Sequence, residues 1–284
     1  MTLPIVRTKS ALRARIAEAR AQGARVGLVP TMGALHDGHL SLVTAAKERA
    51  SFVVATIFVN PTQFGPKEDF AKYPRDLSGD AAKLASVHTD LLFAPEPNEV
   101  YPAGFQTHVE VEHASLGLCG DLRPGHFRGV ATVVSKLLLM ARPDVAIFGE
   151  KDYQQLCVIK ALSQDLDIDT EIVGYPTVRE ADGLAMSSRN AYLSAPERER
   201  ALSLSRGLFA AASLARAGER DAARLVEAAR ALVAPQVDEL QYLELREENT
   251  LHPVSRLEGP ARLLVAVKIG STRLIDNLAI QPFF

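Results

Sequence analysis

Val29-Pro30-Thr31-Met32-Gly33-Ala34-Leu35-His36-Asp37-Gly38-His39 is the stretch whose reading decides the fold. The apolar run Val26 to Val29 leads into it and reads as a buried strand, while Leu40, Leu42 and Val43 follow with the start of a helical pattern. Strand, glycine-bearing turn, helix is a recurrent setting for phosphate binding, because N–H groups at a helix start point at the ligand. His36 and His39 sit at that start, three residues apart and therefore on one face. Gly38 between them lets a ligand come close to the backbone. Imidazoles so placed can offset charge developing on a triphosphate, adding to the helix dipole. Taken alone, an HxxH is more often a capping histidine and a partly buried one. Zinc is disfavoured, since no cysteine lies nearby and no third ligand is evident.

Outward from this corner, the chain alternates strands and helices. Ser10 is placed to cap a helix through Leu12, Ile16 and Ala19 that Gly23 stops. Arg25–Val29 is the first strand, Gly38–Ala50 the next helix, and Phe52–Val59 an apolar run suited to the centre of a parallel sheet. Further strands are expected at Asp90–Ala94, Thr107–Val111, Asp144–Phe148 and Glu171–Gly174, with helices at Ala81–Val87, Gly129–Met140 and Tyr153–Leu166. The alternation predicts an α/β fold: a Rossmann-like open parallel sheet with helices on both faces, its ligands at the carboxyl edge of the strands. After about Tyr175 the texture changes. A polar stretch, Thr177–Asn190, precedes two helices, one from Ala195-Pro196-Glu197 to near Gly218 and one over Ala222–Leu232. Strand-like runs follow at Leu240–Leu245, Arg262–Ile269 and Leu274–Ile280, which predicts a smaller C-terminal α+β domain. The expected division is therefore residues 1–176 and 177–284.

Composition narrows the function classes. With 284 residues, 47 % of them apolar and 23 % charged, the chain can bury a full core as a globular protein. A net charge of −2 gives no support for nucleic-acid or membrane-surface binding. No stretch approaches the ~18 apolar residues of a membrane span. Two cysteines, Cys119 and Cys157, make no disulfide framework, and the N-terminus lacks the plan of a secretion signal, so a cytoplasmic setting is expected.

Four further stretches carry polar residues where chemistry would need them. Asn60 and Gln63, in Phe58-Val59-Asn60-Pro61-Thr62-Gln63-Phe64, follow a strand, where amides can hold hydroxyl and carboxylate groups of a small substrate; a plain Asn-Pro turn is the simpler reading. Gly149-Glu150-Lys151-Asp152-Tyr153-Gln154-Gln155 repeats the strand–glycine–helix pattern, with Lys151 for phosphate and Asp152 as a natural N-cap. Met186-Ser187-Ser188-Arg189-Asn190 offers two hydroxyls and an arginine that can clamp a triphosphate, against a solvated loop with a capping serine. Arg123, in Arg123-Pro124-Gly125-His126-Phe127-Arg128, can meet a carboxylate or phosphate, with a surface salt bridge equally favoured.

The HxGH pattern resembles the signature of the nucleotidylyltransferase and class I aminoacyl-tRNA synthetase superfamily. Together with FVNPTQF, Tyr73-Pro74-Arg75, RPGHFRGV, FGEKDYQQL and VREADGLAMSSRNAYL, it closely resembles the pantothenate synthetases, most clearly from Val29 to Leu193 and again at Tyr242 to Arg246. The resemblance implies a ligase that forms pantoyl adenylate and pyrophosphate from (R)-pantoate and ATP, then transfers the acyl group to β-alanine with release of AMP. It implies ATP contacts from Met32, Gly33, Ala34, Leu35, His36, Asp37, Gly38, His39, Gly149, Glu150, Lys151, Asp152, Val178, Met186, Ser187, Ser188 and Arg189. His36, His39 and Lys151 would stabilise the leaving pyrophosphate, with proton donation by His39. Gln63 and Gln155 would hold pantoate, Gln63 also bordering β-alanine, with Asn60, Tyr73 and Arg123 as second-rank candidates. Mg2+ is expected with ATP, held mainly by phosphate oxygens and water. Some members of that family place carboxylates after the Tyr-Pro-Arg run; here the stretch is Asp76-Leu77-Ser78-Gly79-Asp80, in which Asp80 is the best remaining candidate and is not assigned to the metal. A homodimer through the first domain is also implied. A nucleotidyltransferase acting on another small substrate, and a non-catalytic nucleotide-binding protein, are the alternatives.

Overall fold

The structure is a computed structural model, which describes residues 3–66 and 68–282. The chain forms two compact units: Met1–Glu150 with Val158–Pro176, and Lys151–Cys157 with Thr177–Phe284. The segment Lys151–Cys157 thus groups with the second unit, although it falls inside the range 1–176 expected for the first.

The first unit is built on a six-stranded parallel sheet in the order β1-β4-β3-β2-β5-β6. The strands are β1 (Ile5–Val6), β2 (Val26–Thr31), β3 (Phe52–Ile57), β4 (Leu91–Phe93), β5 (Val145–Gly149) and β6 (Glu171–Tyr175). The connecting helices are α1 (Lys9–Ala21), α2 (Asp37–Lys47), α3 (Leu77–Ser86), α4 (Pro97–Val100), α5 (Cys119–Leu122), α6 (His126–Ala141) and α7 (Tyr153–Asp165). Val26, Leu28, Val29, Val53, Val54, Ala55, Leu91, Leu92 and Phe93 are completely buried. Helices covering both faces of a parallel sheet demand that, and it is why these strands read as unbroken apolar runs. The strand order reverses between β2 and β5, which pair directly, Gly27 opposite Val145 and Leu28 opposite Ala146. The turns leaving their carboxyl ends depart to opposite sides of the sheet, the location where such sheets bind ligands.

Two sequence expectations fail here. Residues Thr107–Val111 are not a strand; they run as a mostly exposed loop pinned by the Val109 N–H to Thr132 Oγ1 at 3.0 Å. The sheet position outside β4 is taken by β1, which pairs Ile5 with Leu92 and Val6 with Phe93. A two-residue strand has no periodicity to detect. The N-cap of α1 is Thr8, whose hydroxyl accepts the Ala11 N–H, and not Ser10. Gly23, at φ +80°, does end that segment in the left-handed conformation open to glycine.

The second unit packs α8 (Ala195–Arg216) and α9 (Ala222–Val233) on an antiparallel sheet in the order β7 (Glu239–Glu247), β8 (Ala261–Ile269), β9 (Thr272–Ile280). Ser194 and Glu197 form a capping box at the start of α8, with Pro196 in its first turn. A core of Leu204, Leu208, Leu225, Val233, Leu263, Val265 and Val267 joins the helices to the sheet. Each such side chain contributes about 1.5–3 kcal/mol by burial. Cys119 and Cys157 are both buried, and no disulfide joins them.

Candidate functional site

The turn after β2 is held from beneath. Thr31 donates its hydroxyl to the Thr56 carbonyl at 2.6 Å and accepts the Gly33 N–H at 3.2 Å. Gly33 and Ala34 are both left-handed, at φ +87° and +51°. For Ala34 that conformation costs about 1–2 kcal/mol. It is offset by the buried carboxylate of Asp80, which accepts the Ala34 N–H at Oδ2 and the Leu35 N–H at Oδ1, each at 2.8 Å. Hydrogen bonds to a charged group contribute about 1.5–3 kcal/mol apiece, enough to hold the turn. The amides of Ala34 and Leu35 are thus already engaged by the protein's own carboxylate.

His36 is the N-cap of α2, in extended conformation. Its ring lies 4.1 Å from that of His39, centroid to centroid, at an angle of 42°. His39 Nδ1 accepts the His36 N–H over a long 3.4 Å, which places the proton of the neutral imidazole on Nε2. The pair is therefore together on one face, and His39 is oriented with Nε2–H as a donor. Asp37, exposed, and Gly38, half-buried, form the first turn of α2, where N–H groups lack helical partners.

A second cluster follows β3. Asn60 is almost wholly buried and serves as the turn-former that the simpler reading expects: its oxygen accepts from Thr62 N–H and hydroxyl and from the Tyr101 hydroxyl. Its amide donates to the Gly129 carbonyl and, at 3.0 Å, to Gln63 Oε1, so Asn60 orients Gln63. The Gln63 amide donates to Met32 Sδ at 3.3 Å, linking this cluster to the turn after β2. Arg123 is engaged by Glu68 in a two-pronged pair, 2.7 Å through Nε and 2.6 Å through Nη2. Burial works to raise the Glu68 pKa, but the Arg123 hydrogen bond and charge, with the Gly65 amide and His126, hold it below the usual carboxylate range. His126 Nδ1 lies 2.8 Å from the Gln63 carbonyl and must donate to it; Nε2, 2.9 Å from Arg123 Nη1, then accepts. Arg123, held by Glu68, therefore braces the backbone of Gln63 through His126 and by its own Nη2, 3.4 Å from the same carbonyl. Tyr73 is buried edge-on to Phe64, ring centroids 5.9 Å apart.

The second unit carries the remaining candidates. Lys151 Nζ is 3.6 Å from Asp152 Oδ2, and the Lys151 carbonyl accepts from Asn277 Nδ2 at 2.9 Å. Asn277 is itself fixed by Arg262, whose guanidinium lies 3.7 Å over the Tyr153 ring and pairs with Glu248. Gln155 is half-buried on α7 beside buried Gln154. Val178 accepts the Met186 N–H at 3.0 Å, and Arg179 pairs with buried Asp276 through both prongs, at 2.7 and 2.9 Å. Ser187 accepts the Arg189 N–H and starts the short helical turn Ser188–Tyr192, so the capping-serine reading applies to it. Glu150 and Gly149 stay with the first unit at the end of β5.

Asp80, Glu68, Tyr101, Gly129 and Asn277 carry this arrangement without having been singled out for it. Their signal is tertiary: each acts on a group far away in sequence, as Asn277 does on Lys151, 126 positions apart. Gly129 lies within the RPGHFRGV motif and Asp80 follows the Tyr-Pro-Arg run, but neither position shows which group it meets.

The arrangement can be set beside known proteins. The family model described as Pantoate-beta-alanine ligase matches residues 4–279. The chain belongs to that family. It is 56 % identical over 281 residues to the pantothenate synthetase of Myxococcus xanthus, covering 98 % of this chain and 96 % of that protein. Pantothenate synthetase from Thermus thermophilus shares its fold with a TM-score of 0.93, at 47 % identity over 99 % of this chain and 100 % of that one. The pantoate-beta-alanine ligase of Francisella tularensis, solved with beta-gamma ATP and beta-alanine, gives a TM-score of 0.81 at 36 % identity, covering 97 % of each chain. As a member of the pantoate-beta-alanine ligase family, the chain has the fold and the enzyme class that its motifs led us to expect.

Proposed function

We propose that this protein condenses (R)-pantoate with β-alanine to pantothenate, using ATP through a pantoyl-adenylate intermediate. The observation that carries the reading is the match to the ligase family over residues 4–279, which spans both units and every motif quoted above. A nucleotidyltransferase sharing only HxGH would not require the Gln63 and Lys151 stretches.

In the first half-reaction a pantoate carboxylate oxygen attacks the α-phosphorus of ATP. The bond to the bridging oxygen breaks and pyrophosphate leaves with the electron pair. Charge grows on that leaving group, so donors placed there lower the barrier. His39, with Nε2–H as its donor, His36 beside it and Lys151 take that role. In the second half-reaction the β-alanine amine attacks the acyl carbon, AMP departs, and the ammonium proton is lost to solvent or a nearby base. Gln63, with its amide set by Asn60 and Met32, and Gln155 hold pantoate; Gln63 borders β-alanine. Asn60 and Arg123 act on Gln63, and Tyr73 packs against the aromatic side chain that follows it.

Met32 to His39, Gly149 to Asp152, Val178 and Met186 to Arg189 are assigned to ATP. Mg2+ accompanies ATP and neutralises phosphate charge. Phosphate oxygens and water would carry most of its coordination. The C-terminal unit serves as a lid that shields the adenylate from water. A homodimer formed through the first unit and a cytoplasmic setting complete the proposal.

Pantoate-dependent exchange of labelled pyrophosphate into ATP, without β-alanine, tests the first half-reaction. Exchange is expected. Its absence, in folded protein that binds ATP, would overturn the reading.

A further inference from the structure

Asp80 and Lys83 lie one turn apart on α3 and grip opposite sides of one residue, Leu35. Asp80 takes the Leu35 N–H at 2.8 Å, and Lys83 Nζ donates to the Leu35 carbonyl at 2.7 Å. Asp76, not Asp80, caps α3, its side chain accepting the Gly79 N–H at 2.9 Å, so Asp80 is left to face the turn. Asp80 is only 3 % exposed. The fit is tight: a Cβ on Gly33 would stand 3.0 Å from Asp80 Oδ2 and 3.2 Å from Ile57 Cγ2, at a φ that disfavours side chains in any case. Consecutive N–H groups in such turns form a concavity that attracts anions. In a nucleotide-binding turn that concavity would ordinarily invite a phosphate. Here an internal carboxylate fills it.

We propose that Asp80, assisted by Lys83, is a positioning residue for adenylation. It closes the anion nest at Ala34 and Leu35 against phosphate, and it fixes the main chain one residue before His36, so that His36 and His39 meet the nucleotide in one orientation. Leu35, nearly fully buried, is the rigid link: held at both its amide and its carbonyl, it leaves the N-cap of α2 no freedom to rotate. The effect on chemistry passes through the histidines, and Asp80 touches no substrate.

The inference rests on the assignment of His39 to the first half-reaction, and a double-mutant cycle separates the two. Pyrophosphate exchange is measured for wild type, Asp80→Asn, His39→Ala and the double variant, with thermal unfolding as a check on folding. Asparagine preserves shape but turns an NH2 toward one of the two amides. Asp80→Asn is expected to lower kcat about tenfold and to leave KM for pantoate within about twofold, while the same substitution on the His39→Ala background costs less than about twofold. Lys83→Met, which leaves the carboxylate in place, is expected to lower kcat about threefold with the same loss of additivity. If Asp80→Asn does not fold, the Lys83→Met cycle decides. Equal losses on both backgrounds would make the clamp a general stability element and overturn the inference, as would unchanged kcat in a folded variant. A loss recovered by raising Mg2+ would overturn it too, by making Asp80 a metal contact. Full exchange by His39→Ala would instead refute the role given to His39.

Discussion

Gly129→Ala tests how the side chain of Gln63, proposed to hold pantoate, is positioned. Gly129 lies in the first turns of α6, against the short helical turn Pro61–Gln63. A Cβ there would stand 2.3 Å from the Thr62 carbonyl oxygen, 2.6 Å from its carbon and 2.7 Å from the Gln63 nitrogen. All three are main-chain atoms, so no side chain can swing aside; the turn itself must retreat. Overpacking of this kind costs about 1–3 kcal/mol, and the better helix propensity of alanine returns at most about 1 kcal/mol. A net loss near 1–2 kcal/mol lowers Tm by about 3–6 °C in a unit of this size. The retreat also pulls the Gly129 carbonyl away from Asn60, which orients Gln63. KM for pantoate should therefore rise several-fold while ATP binding, followed by isothermal titration, stays close to wild type. A variant with unchanged Tm and unchanged KM for pantoate would refute the idea that α6 sets the position of Gln63.

Other outcomes follow from the same geometry. Glu68→Gln removes the carboxylate partner of Arg123, whose side chain is 17 % exposed, and should cost about 1–2 kcal/mol at pH 7, between the limits for surface and buried pairs. Because the folded pKa of Glu68 is held below its ordinary value of 4.5, that contribution is present above pH 4.5 and fades as pH falls through the folded pKa. Urea unfolding of wild type and variant should accordingly converge in acid. His39→Ala and Lys151→Ala should each lower kcat for pyrophosphate exchange by about 10²–10³, as expected for losing one donor to a developing charge. Asp276→Ala removes a carboxylate that is 2 % exposed and leaves the Arg179 guanidinium without its counter-charge, which should destabilise the second unit by about 3–5 kcal/mol, read from thermal unfolding.

The fold was legible where burial is continuous. The runs at Val26 and Phe52 named the central strands, because a strand covered on both faces has no polar positions to confuse the reading. The edge was not legible: β1 has two residues, and Thr107–Val111 carries strand-like composition but pairs with no strand, the Val109 N–H going instead to the Thr132 side chain. At the site, the motifs marked which loops matter but not which atoms are engaged. Arg123 is spoken for by Glu68, and the inviting amides of Ala34 and Leu35 are filled by Asp80. These bonds join residues 45 to 55 positions apart in sequence, and spacing within a motif cannot express them.

The Asn277 bond to the Lys151 carbonyl has a consequence for how the molecule can be divided. The polypeptide passes from one unit to the other after Glu150, returns after Cys157 and leaves again after Pro176. No single scissile bond separates them. A fragment ending at residue 176 would keep Tyr153 but lose the guanidinium of Arg262 that covers it, exposing a buried aromatic face at the root of α7. Protease nicking in the 177–190 stretch should therefore yield two pieces that stay associated, and neither half, expressed alone, would be a clean module.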